Sequence, residues 1–404
     1  MTHTAGDATH TAGDATHTSG VPLVGMVGGG QLSRMTAAPA AALGIGFRVL
    51  AMDPDESAAQ VTADVVLGCH DDLEALRRLA RGATVVTFDH EHVPPEHLRV
   101  LEGEGVAVRP GPSALVHAQD KIAMREALDR AGVPSPAWRQ VASGEDLESV
   151  GEEIGWPLIL KVSRGGYDGR GVWMVDDVEA ARRVMAETAL VPGARWLAEE
   201  RVGFTRELAA QVARSPHGQA VAYPVVRTLQ VDGMCSEVVA PCPELSDERA
   251  LEAQRIALQI AQALDVTGML AVELFDTPGG VLVNELAMRP HNSGHWTIDG
   301  AVTSQFENHM RAVLDLPLGD PGALAPWSVM VNIVGPRDTE GLPPLYDAYR
   351  HVLARDPGIK VHLYGKEIRP GRKLGHVTAV GDDLDDLLRR AHHAADYFTG
   401  VSDE

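Results

Sequence analysis

The stretch Ala271-Val-Glu-Leu-Phe275-Asp-Thr-Pro-Gly-Gly280-Val-Leu-Val-Asn-Glu285-Leu-Ala-Met-Arg-Pro290-His-Asn-Ser-Gly-His-Trp296 carries two signals, one for fold and one for chemistry. Two apolar runs flank Asp-Thr-Pro-Gly-Gly, the turn chemistry of a β-hairpin. If Phe275 pairs with Val281, Val283 lies opposite Glu273, and Glu285 is its diagonal neighbour on the same face, roughly 7 Å away. Two carboxylates on one face repel, and a bridging divalent cation relieves the conflict; Mg²⁺ prefers carboxylate and phosphate oxygens and suits the pair. A register slip of one residue would instead leave them as solvated carboxylates on opposite faces. Immediately after the hairpin, Arg289 to Trp296 is dense in hydrogen-bonding groups.

Upstream, Pro157 to Val162 reads as a strand with Lys161 near its end, and Gly165-Gly166-Tyr167-Asp168-Gly169-Arg170-Gly171 follows it. Four glycines in seven residues let the backbone approach a ligand closely. A Walker A loop would need Lys and Ser or Thr after Gly171, where Val172 and Trp173 stand. The loop is expected to cover phosphates with Lys161 supplying charge, the alternative being a structural glycine hairpin. Strands at Trp196 to Glu200, Leu208 to Ala213 and Ala220 to Val226, with helices at Val178 to Glu187 and Glu248 to Leu264, make this an α+β region. It is entered through a helix, Asp120 to Ala131, capped by Gly132.

Further out, Val21 to Val27 is an apolar run that ends in Gly28-Gly29-Gly30. An Ala-rich amphipathic stretch follows to Ala42, then a second run from Phe47 to Met52 that meets Asp53. With short strands at Thr84 to Phe88 and Val106 to Val108 and a helix at Leu73 to Ala80, this is an α/β layer around a parallel sheet. The glycine turn approaches a dinucleotide fingerprint, but Ser33 stands at its third glycine. What remains is a row of bare N–H groups at a helix start, which favours a phosphate or carboxylate over a plain tight turn. At the other end, strands at Ser328 to Ile333, Lys360 to Tyr364 and His376 to Val380 and a helix from Asp382 to Tyr397 form a small β-rich unit. Lys366, Arg369, Arg372 and Lys373 place four cations in eight residues there, suited to a phosphate ester or else to a charged surface turn. The expected division is a repeat tail over 1–20, an α/β domain over 21–118, a central domain over 119–320 and a C-terminal domain over 321–404.

The 404 residues carry 35 basic and 56 acidic side chains, a formal charge of −21, which argues against nucleic-acid and anionic-membrane partners. At 45% apolar and 23% charged, the chain as a whole is globular. Residues Thr2 to Gly20 are a seven-residue repeat without a large apolar side chain, expected to be a disordered tail; its His3, His10 and His17 are solvated or at most weak metal ligands. Cys69, Cys235 and Cys242 form no C-x-x-C pair, so neither a disulfide framework nor a zinc site is indicated. Without a signal-like start or an apolar run of roughly 20 residues, a soluble cytoplasmic protein is expected.

Taken in order, Gly30-Gln31-Leu32, Tyr167-Asp168-Gly169-Arg170-Gly171, Glu273 with Asn284-Glu285, Arg289 to Trp296 and Gly371-Arg372-Lys373 resemble one family over about residues 21–380. It is the 5-(carboxyamino)imidazole ribonucleotide synthases, ATP-grasp ligases of purine biosynthesis. The resemblance implies a pre-ATP-grasp α/β domain, an ATP-grasp domain and a small C-terminal domain in a chain that is usually a homodimer. It implies that ATP phosphorylates bicarbonate and that carboxyphosphate, or its CO₂, is captured by the amine of aminoimidazole ribonucleotide. By the same resemblance Arg109, Lys161 and the Gly166 to Gly171 loop hold ATP phosphates. Glu199, Glu200 and the chain to Val202 form the adenine hinge, Glu207 binds ribose, Glu273 and Glu285 hold Mg²⁺, and Asn284 lies near the phosphates. Tyr167, Asp168, Arg170, His291 and Asn292 are the implied catalytic group. Gln31, Arg289, Lys366, Arg372 and Lys373 are implied for bicarbonate and the ribonucleotide.

Two departures stand out: Gln230 occupies a place where a histidine facing the nucleotide is expected, and Asp89-His90-Glu91 replaces a Glu-rich string. A sister ligase that transfers formate to glycinamide ribonucleotide is the nearest rival, but it carries Ser-Ser-Gly where this chain has Tyr167-Asp168-Gly169. A non-catalytic nucleotide-binding regulator would not need both Glu273 and Glu285, and the broken glycine fingerprint counts against an NAD enzyme.

Overall fold

The computed structural model describes residues 20–166 and 169–401. The repeat tail expected over 1–20 therefore lies almost entirely outside the described residues, as do Tyr167 and Asp168.

The first layer is a parallel sheet of β1 (Leu23–Val27), β2 (Gly46–Ala51), β3 (Asp64–Leu67) and β4 (Val85–Phe88), in the order β3-β2-β1-β4. Every residue of β1 and β4 is buried, as unbroken apolar runs covered on both faces require. Around the sheet lie α1 (Gln31–Ala42), α2 (Leu73–Ala80), α3 (Pro95–Gly103) and α4 (Pro112–Gln119). The strand expected at Val106 to Val108 is reduced to a single bridge, Val86 to Val108. Arg109 still donates to Val86, but Pro110 has no N–H with which to extend the ladder. The short edge strand β3 escaped the sequence reading because four residues show no clear period.

Next comes α5 (Lys121–Ala131), whose Asp120 cap accepts from the N–H groups of Ile122 and Ala123 and whose Gly132 takes a left-handed φ of 65°. An antiparallel lobe follows, with β5 (Trp138–Val141), β6 (Leu158–Val162), β7 (Val172–Val175) and β8 (Trp196–Glu200) in the order β5-β8-β6-β7. Helices α6 (Asp146–Ile154) and α7 (Val178–Glu187) back it, and it has its own apolar core around Leu158, Leu160 and Ala198.

The largest sheet is antiparallel: β9 (Arg206–Arg214), β10 (Ala220–Ala222), β11 (Val226–Val231), β12 (Met234–Ala240), β13 (Gly268–Thr277), β14 (Gly280–Ala287), β15 (Trp327–Val334), β16 (Lys360–Leu363) and β17 (Lys373–Gly381). Its order is β14-β13-β9-β11-β12-β15-β17-β16, with β10 paired to β9. The single strand expected over Ala220 to Val226 is two, split where Pro224 interrupts the donors. The C-terminal strands do not close a sheet of their own, because β15 pairs with β12 from Glu237↔Val331 to Ala240↔Ser328. Helices α8 (Asp247–Ala263), α9 (Thr297–Gly300), α10 (Gln305–Val313), α11 (Ala348–Arg355) and α12 (Leu384–Phe398) complete the chain. Among the described residues no helix is long and apolar enough to cross a membrane.

Candidate active site

A cavity of 1010 Å³ opens where the four-stranded lobe faces the large sheet. Lys161 reaches it from β6, Glu200 to Val202 from the end of β8, Glu207 from β9 and Gln230 from β11. Glu273 enters from β13, and Asn284 and Glu285 from β14. Arg289, His291, Asn292 and Lys373 line the same space, as do Gly166 and Gly169 of the glycine loop. Apolar contact is available on the ring of Phe275, which stacks on Phe204 with centroids 4.7 Å apart.

Lys161 is held by a buried carboxylate. Its ammonium lies 2.6 Å from Glu199, which also takes the guanidinium Nε of Arg125 at 2.7 Å. Burial alone would raise the Glu199 carboxyl, but Arg125 and Lys161 outweigh it and hold it down at about 2. Glu199 thus supports the lysine through its side chain, while the backbone beyond it forms the cavity wall. Arg125 in turn donates to the carbonyls of Val283 and Asn284, tying the lysine to β14.

The hairpin register differs from the expected one. Phe275 pairs with Leu282 and Thr277 with Gly280, which leaves a two-residue turn at Pro278-Gly279. Continued without interruption, that register would put Glu273 opposite Asn284 and send Glu285 to the other face. A β-bulge between Glu273 and Leu274 shifts the pairing by one, so Glu273 stands directly opposite Glu285. The two carboxylates do share a face, brought there by the bulge. Burial and then the charges of Glu285 and Glu207 push Glu273 up to about 7. Burial opposes ionisation of Glu285 as well, but its ion pair with Lys121 holds it below the ordinary range.

At the far wall His291 places Nε2 3.6 Å from Glu273. Burial, then Arg289 and Lys373, push the imidazole down to about 3, so it is neutral at physiological pH. Arg289 is already paired, its Nε 2.9 Å from Glu91, so the Asp89-His90-Glu91 departure supplies the counter-charge of Arg289. Asp89 is buried and accepts from the N–H of Gly30 at 2.7 Å. The anion expected at the glycine turn is therefore partly replaced by a carboxylate of the chain itself. Gly28 has to be glycine, since a Cβ there would lie 1.9 Å from Asp89 Oδ1.

Other expected site residues sit elsewhere. Lys366 donates to Gln31 across the junction between the first layer and the C-terminal strands, outside the cavity lining. Burial, then Arg372 and Lys373, lower its ammonium to about 8. Arg372 is close by but more exposed, its Nη1 3.5 Å from the carbonyl of Glu367. Arg170 is exposed on the glycine loop. Gly171 anchors that loop: its carbonyl accepts from Val162, and a Cβ would meet Val162 Cγ2 at 2.5 Å.

Arg109, expected at the ATP phosphates, stands apart from these residues. It lies outside the cavity lining, and its Nη1 donates to the carbonyl of Val313 at 2.7 Å, so its charge ties the first layer to α10. The cation that reaches the cavity from this part of the chain is Lys121, in the first turn of α5. Sequence reasoning missed it because a lysine one residue after a helix cap belongs to no motif.

Three family models match the chain: a ribonucleotide synthetase preATP-grasp domain over residues 22–119, an ATP-grasp domain over 126–306 and a phosphoribosylaminoimidazole carboxylase C-terminal domain over 328–390. The N5-carboxyaminoimidazole ribonucleotide synthase of Mycobacterium tuberculosis is 54% identical over 379 residues, covering 94% of this chain and 88% of its own. The carboxyaminoimidazole ribonucleotide synthase of Aspergillus clavatus complexed with ATP superposes with a TM-score of 0.85 at 33% identity, over 95% of this chain and 99% of that one. The enzyme from the same organism in complex with ADP and 5-aminoimidazole ribonucleotide gives 0.84 at 32% identity, over 94% and 98%. On this likeness over 94% of its length, the chain belongs to the N5-carboxyaminoimidazole ribonucleotide synthase family of ATP-grasp ligases.

Proposed function

We propose that this chain carboxylates 5-aminoimidazole ribonucleotide with bicarbonate, forming 5-(carboxyamino)imidazole ribonucleotide while ATP goes to ADP and phosphate, a step of purine biosynthesis. The observation that carries the reading is the single cavity onto which Lys161, the glycine loop, the Glu273–Glu285 pair and the His291-Asn292-Lys373 wall converge. ATP lies with its adenine against the Glu200 to Val202 wall, its ribose at Glu207 and its phosphates toward Lys161, Lys121 and Asn284, with Gln230 on the nucleotide side. Bicarbonate oxygen attacks the terminal phosphorus and ADP leaves, giving carboxyphosphate. The amine nitrogen then bonds to the carboxyl carbon, of carboxyphosphate or of the CO₂ it releases, and gives up a proton while the bond from that carbon to phosphate breaks and inorganic phosphate departs. Neutral His291 donates a hydrogen bond and Lys373 a charge toward the developing anion, fixed in place before it forms.

The carboxylate pair fits Mg²⁺. Both carboxylates offer hard oxygen donors on one face, and burial together with the charges of Glu285 and Glu207 raises Glu273 to about 7, a conflict that a bound cation would relieve. Glu273 and Glu285 would hold the ion, which when bound neutralises phosphate charge. Gln31, Lys366, Arg372 and Lys373 take the ribonucleotide phosphate, and Tyr167, Asp168 and Arg170 serve the reacting groups, with Asp168 orienting the amine. The protein works in the cytoplasm as a homodimer, divided at about residues 20, 118 and 320.

The test follows labelled bicarbonate into an acid-labile carbamate. ADP formed one for one, dependent on both bicarbonate and aminoimidazole ribonucleotide, is expected; turnover that requires formate or glycinamide ribonucleotide would replace this reading with that of the formate-using sister enzyme.

A further inference from the structure

Behind the cavity wall, the carboxamide of Gln305 is fully buried at the first turn of α10 and grips the main chain of His291 on both sides. Its Oε1 accepts from the N–H of His291 at 2.9 Å, and its Nε2 donates to the carbonyl of the same residue at 2.8 Å. The same Nε2 donates to Nδ1 of His295 at 3.1 Å. One side chain thus gives His291 the pair of bonds that a neighbouring strand would give, at a point where no strand runs. Nor can the loop drift: a Cβ on Gly294 would meet Gln305 Oε1 at 2.5 Å and Gln211 at 2.4 Å, so the turn is packed against both amides. Thr297 completes the clamp by accepting from the N–H of Gln305 and donating to the carbonyl of Gly294. From the other side Gln211 donates to Ser293, whose hydroxyl lies 2.9 Å from Nδ1 of His291, so the ring is oriented as well as the backbone.

We propose that Gln305, which lies outside the cavity lining, is a positioning residue for the reaction: it fixes the main chain of His291, and through it the aim of the His291 and Asn292 side chains at the small anion. The inference rests on the carboxylation reading above. It separates ATP binding from chemistry, because Lys161, Glu199, Arg125 and Glu207 owe nothing to Gln305, whereas the anion wall does.

The experiment compares wild type with Gln305→Met, which keeps length and removes both hydrogen-bonding functions, and with Gln305→Glu, which keeps the acceptor for His291 N–H but sets a carboxylate against the His291 carbonyl. ADP affinity and the number of ADP sites are measured by calorimetry, and kcat is expressed per ADP site. In both variants kcat is expected to fall by about tenfold or more, on the scale set by small misplacements of catalytic groups, with KM for ATP within about twofold of wild type. Unchanged kcat per site in either variant overturns the assignment. Loss of ADP sites in parallel with turnover in both variants also overturns it, since Gln305 would then be a general support of the fold. A wild type without bicarbonate-dependent turnover would instead bring down the carboxylation reading, and the positioning role with it.

Discussion

Glu273 and Glu285 are direct cross-strand partners, and they are so because a bulge sets Asn284 aside between Val283 and Glu285, opposite the Glu273–Leu274 step. Replacing either by Gln removes one charge from the pair while keeping its shape. Turnover is expected to fall by orders of magnitude in both variants, while the melting temperature is expected to hold in Glu273→Gln, which relieves the repulsion, and to fall in Glu285→Gln, which leaves Lys121 without its counter-charge. Steady-state rates over a Mg²⁺ titration, read beside thermal unfolding, make the check; wild-type activity in both variants at limiting Mg²⁺ would end the assignment.

Glu199→Gln should act differently, on stability. It leaves Arg125 and Lys161 buried without their counter-charge, and breaking such a pair from one side costs roughly 3 to 5 kcal/mol. The sign with pH follows from the lowered carboxyl: the stabilisation is present above the ordinary value of 4.5 and is lost as pH falls toward about 2. Urea unfolding at pH 7 and at pH 3 should therefore show a larger gap between wild type and variant at the higher pH.

If Lys366 takes the ribonucleotide phosphate as proposed, it should give that side of the reaction a pH dependence. With its ammonium lowered to about 8, it loses its charge as pH rises past that value, and the KM for aminoimidazole ribonucleotide is expected to climb between pH 8 and 9. Lys366→Arg, which stays charged, should flatten the climb. The stability term runs the other way: between about 8 and the ordinary 10.5 the unfolded chain binds the extra proton, so folding gains as pH rises there. An identical KM profile in wild type and Lys366→Arg would remove Lys366 from the phosphate site.

A paired comparison tests which of Arg109 and Lys121 serves the nucleotide. Lys121→Ala should raise the KM for ATP by about tenfold or more, the scale of a lost charged hydrogen bond at ~1.5 to 3 kcal/mol. Arg109→Ala should leave that constant nearly unchanged and lower the melting temperature instead, through the lost tie to Val313. The reverse pattern would restore Arg109 to the nucleotide.

What could be read in advance was what local chemistry decides. The buried run of β1, the Gly132 cap of α5, and the turn between Thr277 and Gly280 each announce themselves within a few residues. Shared faces were harder. The carboxylate pair was anticipated through a register that the hairpin does not adopt, and a bulge leaves no mark in hydrophobic period when both strands are apolar on both sides. Lys121 and Gln305 could not be seen at all, since what makes each notable is a partner 164 or 14 residues away in sequence.

The four registered pairs between β12 and β15 make the boundary before the C-terminal strands a seam of main-chain hydrogen bonds, not a hinge. Cut there, the protein would not shed a module cleanly. The severed β12 would present a bare row of donors and acceptors along an apolar strand, a template for pairing with any extended chain it met. In evolutionary terms the C-terminal strands can change their loops, and with them the basic segment between β16 and β17, but they cannot be exchanged or lost without a replacement that closes the same edge.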